Sequence, residues 1–288
     1  MTSVAVVTIA HGRHEHLAAQ ERSLRAGARP PDLRVVVAMD DPAVADLVTG
    51  ASWPTSVEAI DRHPQGLPLA AARNRGARAA IEGGADVLVF LDVDCLVGPD
   101  LVADYADAVA ASEDRVWCGP VTYLPPAPSG GYPLDLVGWD GPHAARPAPD
   151  PGERVDGGDP DLFWSLSFAL ARETWERIDG FGEEYVGYGG EDTDFAHRAA
   201  ERGIGIAWTG GARAYHQHHP VESPPVSHLD DILRNGAIFA ERWGRWPMTG
   251  WLEAFEEQGL VQRHRDGWRR ADGPHSQQTA STTRQEAS

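Results

Sequence analysis

The sequence predicts an α/β protein with a mostly parallel central sheet flanked by helices. Over the first 120 residues, short apolar runs at Val4–Ala10, Leu33–Met39, Ser56–Ile60, Asp86–Leu91 and Val116–Val121 read as strands. Between them, Glu15–Ala26, Leu69–Glu82 and Leu101–Ser112 have helical length and alanine-rich composition. Such alternation gives a sheet covered on both faces, whose ligands sit at the carboxyl ends of its strands. The second observation is size: 288 residues with 42% hydrophobic content can bury one large core, or one core plus a smaller lobe, without disulfide or structural metal.

The pattern breaks between Tyr123 and Pro160, which hold nine prolines and two glycine pairs. A connection this long inside a domain reads as a lid over a functional site, or as a linker. Order resumes with the strand-like run Leu162–Leu170, a short helix near Glu173–Ile178 and a helix over Glu191–Arg202. Strands at Ile204–Trp208 and Arg213–His216 and a helix at His228–Trp243 follow. Polar, apolar-poor Gly273–Ser288 is expected to be disordered. The expected organisation is residues 1–121 as one half of a domain, 122–160 as the Pro/Gly-rich segment, 161–220 as the second half, 221–272 as a helical segment and 273–288 as a tail.

All 25 basic residues are arginine, and 43 acids leave a formal charge of −18, which disfavours nucleic acid and anionic membranes as partners. Cys95 and Cys118 lie in apolar stretches without paired spacing, as expected of packed thiols in a reducing compartment, which points to the cytoplasm. The chain passes from Met1 directly into an apolar run with no basic region or cleavage site, so no secretory leader is expected. No stretch approaches the roughly 20 apolar residues of a transmembrane helix.

Three local patterns carry chemistry. Val87–Leu91 ends in Asp92-Val93-Asp94, and strand alternation would aim both carboxylates the same way. Adjacent carboxylates repel unless a cation lies near them, and oxygen ligands at a strand end suit Mg²⁺ or Mn²⁺ carrying a diphosphate. Next, Gly187-Tyr188-Gly189-Gly190 runs into Glu191-Asp192-Thr193-Asp194-Phe195. Phe195 and Ala199 mark the apolar stripe of that helix, and Glu191 and Asp192 sit over the same inward face. Asp194 is explained by the helix dipole and an i, i+4 pair with Arg198. Finally, Ala214-Tyr215-His216-Gln217-His218-His219 places three imidazoles in four positions, which suits Mn²⁺ better than Mg²⁺, with zinc as a rival. Trp139, Trp164 and Tyr188 are loop aromatics that could stack on a ligand face or serve equally as packing anchors.

Together these pieces resemble the GT-A glycosyltransferases, specifically bacterial family 2 enzymes and the carboxyl-terminal part of the galactosyltransferases. The resemblance spans roughly Val4 to Pro220 and rests on Thr8-Ile9-Ala10-His11-Gly12-Arg13, Ala72-Arg73-Asn74-Arg75-Gly76, Asp92-Val93-Asp94 and Gly189-Gly190-Glu191-Asp192, in that order. It implies the GT-A (nucleotide-diphospho-sugar transferase) fold, a nucleotide-sugar donor and a sugar, glycan or small-molecule acceptor. By the same resemblance, Thr8, His11, Arg13 and Asp40 hold the nucleotide, Arg73 and Asn74 contact the donor, and Asp92 contacts ribose or metal-bound water. Asp94 binds Mn²⁺ (or Mg²⁺), completed by His216, with His218 as the alternative; Asp192 is the base, and Glu191 binds the acceptor, beside Tyr188 and Trp164. Galactosyltransferases carry a bulky aromatic where this chain has Tyr188 and an acid where it has Thr193, so their acceptor preference does not transfer.

The chemistry expected of such a site is inverting: metal and arginines stabilise the departing diphosphate while one base deprotonates the attacking hydroxyl from the opposite side. Two alternatives remain at this point. A nucleotidyltransferase shares the topology but usually opens with a glycine-rich loop and an Arg-Lys pair, whereas this first loop has one glycine and the chain no lysine. A non-catalytic module binding a glycan or nucleotide sugar would need no base, which the Glu191-Asp192 pair argues against.

Overall fold

The computed structural model describes residues 2–50 and 52–271, so the tail expected at Gly273–Ser288 lies outside the described residues. Its first half follows the predicted alternation: β1 (Val4–Ala10), α1 (His14–Ala26), β2 (Leu33–Met39), α2 (Val44–Leu47), β3 (Thr55–Ile60), α3 (Leu69–Glu82) and β4 (Val87–Leu91). β1 pairs in parallel with β2 and β4, and β2 with β3. The alanine-rich character of α3 has a packing cause. Ala72, Gly76, Ala77 and Ala80 are buried, and a methyl group at Gly76 would overlap the side chain of Val7. Gly76 costs about 1 kcal/mol of helix propensity, a cost offset by close approach to the sheet.

After β4 come β5 (Cys95–Val97), α4 (Leu101–Ala111), β6 (Arg115–Cys118), β7 (Val121–Tyr123), β8 (Arg154–Asp156), β9 (Ser167–Ala171), α5 (Arg172–Ile178), α6 (Glu191–Glu201), β10 (Gly205–Thr209) and β11 (Ala214–His216). The single strand expected at Val116–Val121 is broken at Gly119-Pro120, where proline has no N–H for a ladder and a side chain at Gly119 would overlap the backbone of Ala212. β7 instead joins a three-stranded sheet of order β5-β11-β7.

The main sheet has the order β3-β2-β1-β4-β9-β6-β10-β8. Its pairings are four parallel and three antiparallel, so the sheet is mostly parallel as expected, with the antiparallel pairings confined to β8 and β9. β9 lies between β4 and β6, antiparallel to both, because the preceding segment has no helical crossover to return it to the amino end of the sheet.

That segment, 122–160, is tied to the sheet at several points. β8 adds an antiparallel edge strand to β10, Arg115 pairs with Asp156, and Arg213 pairs with Asp140. The backbone N–H of Gly210 donates to the carbonyl of Glu153 at 3.0 Å.

Two apolar layers enclose the sheet, one built from Val7, Val35, Phe90, Phe168, Trp175 and Phe195 with α3 and α6, the other from Val6, Val89, Leu101 and Tyr105 with α4. Residues from Val221 onward form a separate unit. In it α7 (Leu229–Trp243), α8 (Thr249–Glu257) and the hairpin of β12 (Val261–His264) and β13 (Gly267–Arg270) enclose Leu229, Ile232, Leu252, Phe255, Val261 and Trp268. Among the described residues no helix is long and apolar enough to cross a membrane.

Candidate active site

The chain leaves β4 at Leu91 and turns at once, so Asp92 and Asp94 lie in a turn and not on one strand face. Strand alternation therefore does not apply, and the two carboxylates have different partners. Asp92 Oδ1 accepts from Arg73 Nη2 at 3.3 Å, whereas Asp94 faces His216 Nε2 at 3.4 Å and His219 Nε2 at 3.5 Å. Val93 packs against the apolar cluster that contains Ala10 and Leu17.

Arg73, buried on α3, is the hub of the acidic side. Besides Asp92 it reaches Glu191 Oε1 at 3.3 Å and Asp192 Oδ1 at 3.8 Å, and its guanidinium lies over the Phe181 ring at 5.2 Å. Burial works against its charge, but Asp92, Asp192 and Glu191 outweigh that and raise its pKa. Burial pushes Asp92 up to about 7, helped by the charges of Asp94 and Asp192 and opposed by Arg73. Burial, with the Asp192 charge, likewise pushes Glu191 up to about 7. Carboxyls this perturbed, gathered around one guanidinium, make this cluster a candidate functional site.

Glu191 and Asp192 begin α6 directly after Gly189 and Gly190, whose φ values of +93° and +92° only glycine adopts without strain. The Ser165 backbone N–H donates to Asp192 Oδ2 at 3.0 Å. Tyr188 is 37% exposed beside these acids, and Trp164 adjoins Ser165. Asp194 differs from expectation: it is fully buried and accepts from Tyr185 Oη at 3.1 Å. Arg198 donates instead to the carbonyls of Ile178, Asp179 and Gly180.

Asp94, His216 and His219 offer ligand atoms that all lie within 4.8 Å of one another. Burial works against the Asp94 carboxylate, yet His219, His216 and Arg13 together hold its pKa below the ordinary value. Two imidazole nitrogens and one carboxylate oxygen fit Mn²⁺ better than Mg²⁺, and zinc accepts the same set. The histidine that joins His216 is His219, not His218. His218 is exposed, and its backbone N–H donates to Tyr132 Oη at 3.0 Å. The turn after β11 carries His218 outward and returns His219, whose ring lies 5.1 Å from that of His216 and 6.4 Å from that of His16.

The residues expected around the nucleotide divide into two groups. His11, Arg13 and Asp40 stand at the carboxyl ends of β1 and β2. The ring Nδ1–H of His11 donates to the Met39 carbonyl at 2.6 Å, Arg13 acts electrostatically on Asp94, and Asp40 is exposed at φ +49°. Thr8 does not reach this surface. It is 1% exposed, donates to the Leu91 carbonyl at 2.8 Å and accepts from Arg34 Nη1 at 3.0 Å. Arg34 is itself buried and paired with Glu21 at 2.8 Å, so Thr8 belongs to a core polar network. Asn74 is also committed: its side-chain amide bonds both the N–H and the carbonyl of Phe181, and Glu183. That arrangement clamps the loop before α6.

Asp41 is a residue the sequence patterns did not mark. It accepts from the Gly12 N–H at 2.7 Å and from His14 Nε2 at 2.8 Å, fixing the first loop. Tyr123 is another, its ring tilted 31° at 4.7 Å from that of His216.

Residues 161–220, which carry Trp164, Glu191, Asp192 and His216, match the family described as the N-terminal domain of galactosyltransferase. Among solved structures, Staphylococcus aureus TarS 1–349 superposes with a TM-score of 0.58 at 14% identity, over 83% of this chain and 64% of that one. GalNAc-T7 with UDP, GalNAc and Mn²⁺ superposes with a TM-score of 0.54 at 13% identity, over 90% and 57%. The chain has the GT-A fold. In sequence it is 27% identical to validoxylamine A glucosyltransferase of Streptomyces hygroscopicus subsp. limoneus, over 62% of this chain and 44% of the relative. It thus spans less than half the length of that relative.

Proposed function

We propose that the chain is a metal-dependent, inverting glycosyltransferase that moves a hexose from a nucleotide-diphosphate sugar to a hydroxyl acceptor. The observation that carries this reading is the Arg73 hub, which links the strand-end Asp92 to the helix acids Glu191 and Asp192, next to the Asp94, His216 and His219 triad. Support comes from the solved TarS complex with UDP-GlcNAc, which shares the fold, and from the validoxylamine A glucosyltransferase likeness, whose name specifies glucosyl transfer.

In this reading Asp94, His216 and His219 hold Mn²⁺ (or Mg²⁺), which when bound supplies charge that neutralises the diphosphate. His11, Arg13 and Asp40 face the nucleotide at the strand ends. Arg73 keeps Asp92 and Asp192 apart and bound to one centre. Asp192, oriented by the Ser165 amide, takes the proton of the attacking hydroxyl, and Glu191 binds the acceptor next to Tyr188 and Trp164. A single base opposite the leaving group gives inversion. Segment 122–160 acts as a lid that excludes water. The two free, buried thiols suit a cytoplasmic location.

The test is a thermal-shift screen of UDP, GDP and dTDP sugars with and without Mn²⁺, followed by NMR of the product of any donor that binds. A ligand at a hundred times its Kd stabilises by roughly 2.7 kcal/mol. Stabilisation that requires metal, with an inverted anomeric centre in the product, is expected. Retention, or binding indifferent to chelator, overturns the reading.

A further inference from the structure

Arg146, in the middle of the 122–160 segment, is 7% exposed, and none of its three guanidinium nitrogens has a hydrogen-bond partner. A buried, unpaired charge is costly, and in a chain with 43 acids it calls for an explanation. The guanidinium lies 5.2 Å from the Trp164 ring and 4.9 Å from the Trp208 ring, held between two indoles. Burial keeps the Cys118 thiol beside it neutral, so it offers only a weak acceptor.

What Arg146 touches leads to both proposed functional groups. Trp164 precedes the Ser165-Leu166 turn, which lies outside any strand or helix. In that turn the Ser165 N–H donates to Asp192 Oδ2 at 3.0 Å, and the Leu166 carbonyl accepts from the Asp92 N–H at 2.9 Å. The turn sits at the end of the β4–β9 ladder, held on the Leu166 side by the Asp92 bond, so the placement of its Ser165 side depends on how Trp164 is seated. His143, on the same segment as Arg146, meets the Trp164 ring edge-on at 5.0 Å and contacts Tyr123, whose ring lies 4.7 Å from that of His216.

We propose that Arg146 is a positioning residue: by clamping Trp164 against Trp208 it seats the Ser165-Leu166 turn, and through it Asp192. Cation–π attraction of a desolvated guanidinium over tryptophan is strong enough for this role. A carboxylate partner would pull the guanidinium out of the stack, which accounts for the absence of one. The proposal rests on Asp192 being the base, but its first readout does not.

The experiment compares Arg146→Met, Arg146→Lys and Asp140→Asn in the full chain by amide hydrogen exchange, melting temperature and steady-state kinetics. Arg146→Met keeps length and apolar bulk without the charge; Asp140→Asn removes a different anchor of the segment, the pair with Arg213. Faster exchange at the Ser165 amide is expected in Arg146→Met, partly rescued in Arg146→Lys and absent in Asp140→Asn, with unchanged exchange in β4. Turnover in Arg146→Met is expected to fall about tenfold, the KM for the donor staying within about twofold. Parent-like Ser165 exchange in Arg146→Met overturns the proposal, as does exchange raised throughout the protein or raised equally by Asp140→Asn. If the parent transfers no sugar, the proposed function fails while the exchange data still judge the clamp.

Discussion

The Ser165 backbone N–H donates to Asp192 Oδ2 at 3.0 Å, joining the turn before β9 to the first turn of α6. This bond aims the carboxylate and leaves Oδ1 3.8 Å from Arg73 Nη1. Asp192→Asn preserves size but cannot accept a proton. Turnover should fall by about 10² to 10⁴ with donor affinity and melting temperature close to the parent. Stopped assays beside donor calorimetry check this; near-normal turnover would move the base to Glu191.

The triad predicts that the two neighbouring histidines differ. Mn²⁺ affinity, read by calorimetry on the free protein, should drop roughly tenfold or more in His219→Ala and in Asp94→Ala, with little change in His218→Ala. Equal losses at His218 and His219 would mean that the turn after β11 holds the metal differently.

Glu191 gives a pH signature in stability. Its carboxyl ionises near 4.5 when unfolded and at about 7 when folded, because burial and the Asp192 charge outweigh Arg73. The folded state therefore binds the proton more tightly, so the stabilising contribution is complete below pH 4.5 and is lost as pH rises through 7. Glu191→Gln cannot ionise and escapes that loss. At pH 8 it should be more stable than the parent by roughly 1–3 kcal/mol, with the gap closing towards pH 5. Paired urea titrations at the two pH values decide it.

Thr8→Val separates a core role from a donor contact. Removing the hydroxyl deprives Arg34 and Gln20 of a buried partner. Unfolding free energy should fall by roughly 1–3 kcal/mol while donor affinity is unchanged. Weaker donor binding at full stability would restore Thr8 to the nucleotide site.

The sequence by itself determined the elements whose cause is local. The bounds of β1, β2 and α3 follow from apolar runs and alanine-rich spacing, and they match the observed elements residue for residue. It also marked Asp92, Asp94, Glu191, Asp192 and His216, since acids after apolar strands and glycine turns, and imidazoles at a strand end, are visible without a fold. Only the tertiary structure decided which side chains meet. A turn after Leu91 separates Asp92 from Asp94, where strand period two had them side by side. A turn after His216 selects His219 over His218, and a fully buried Arg34 draws Thr8 into the core. Nothing near Arg146 in the chain announces its two tryptophans, 18 and 62 positions later. Periodicity reports the direction of a side chain relative to its own element, whereas partnership depends on turns and on contacts between residues far apart in sequence, which no local pattern encodes.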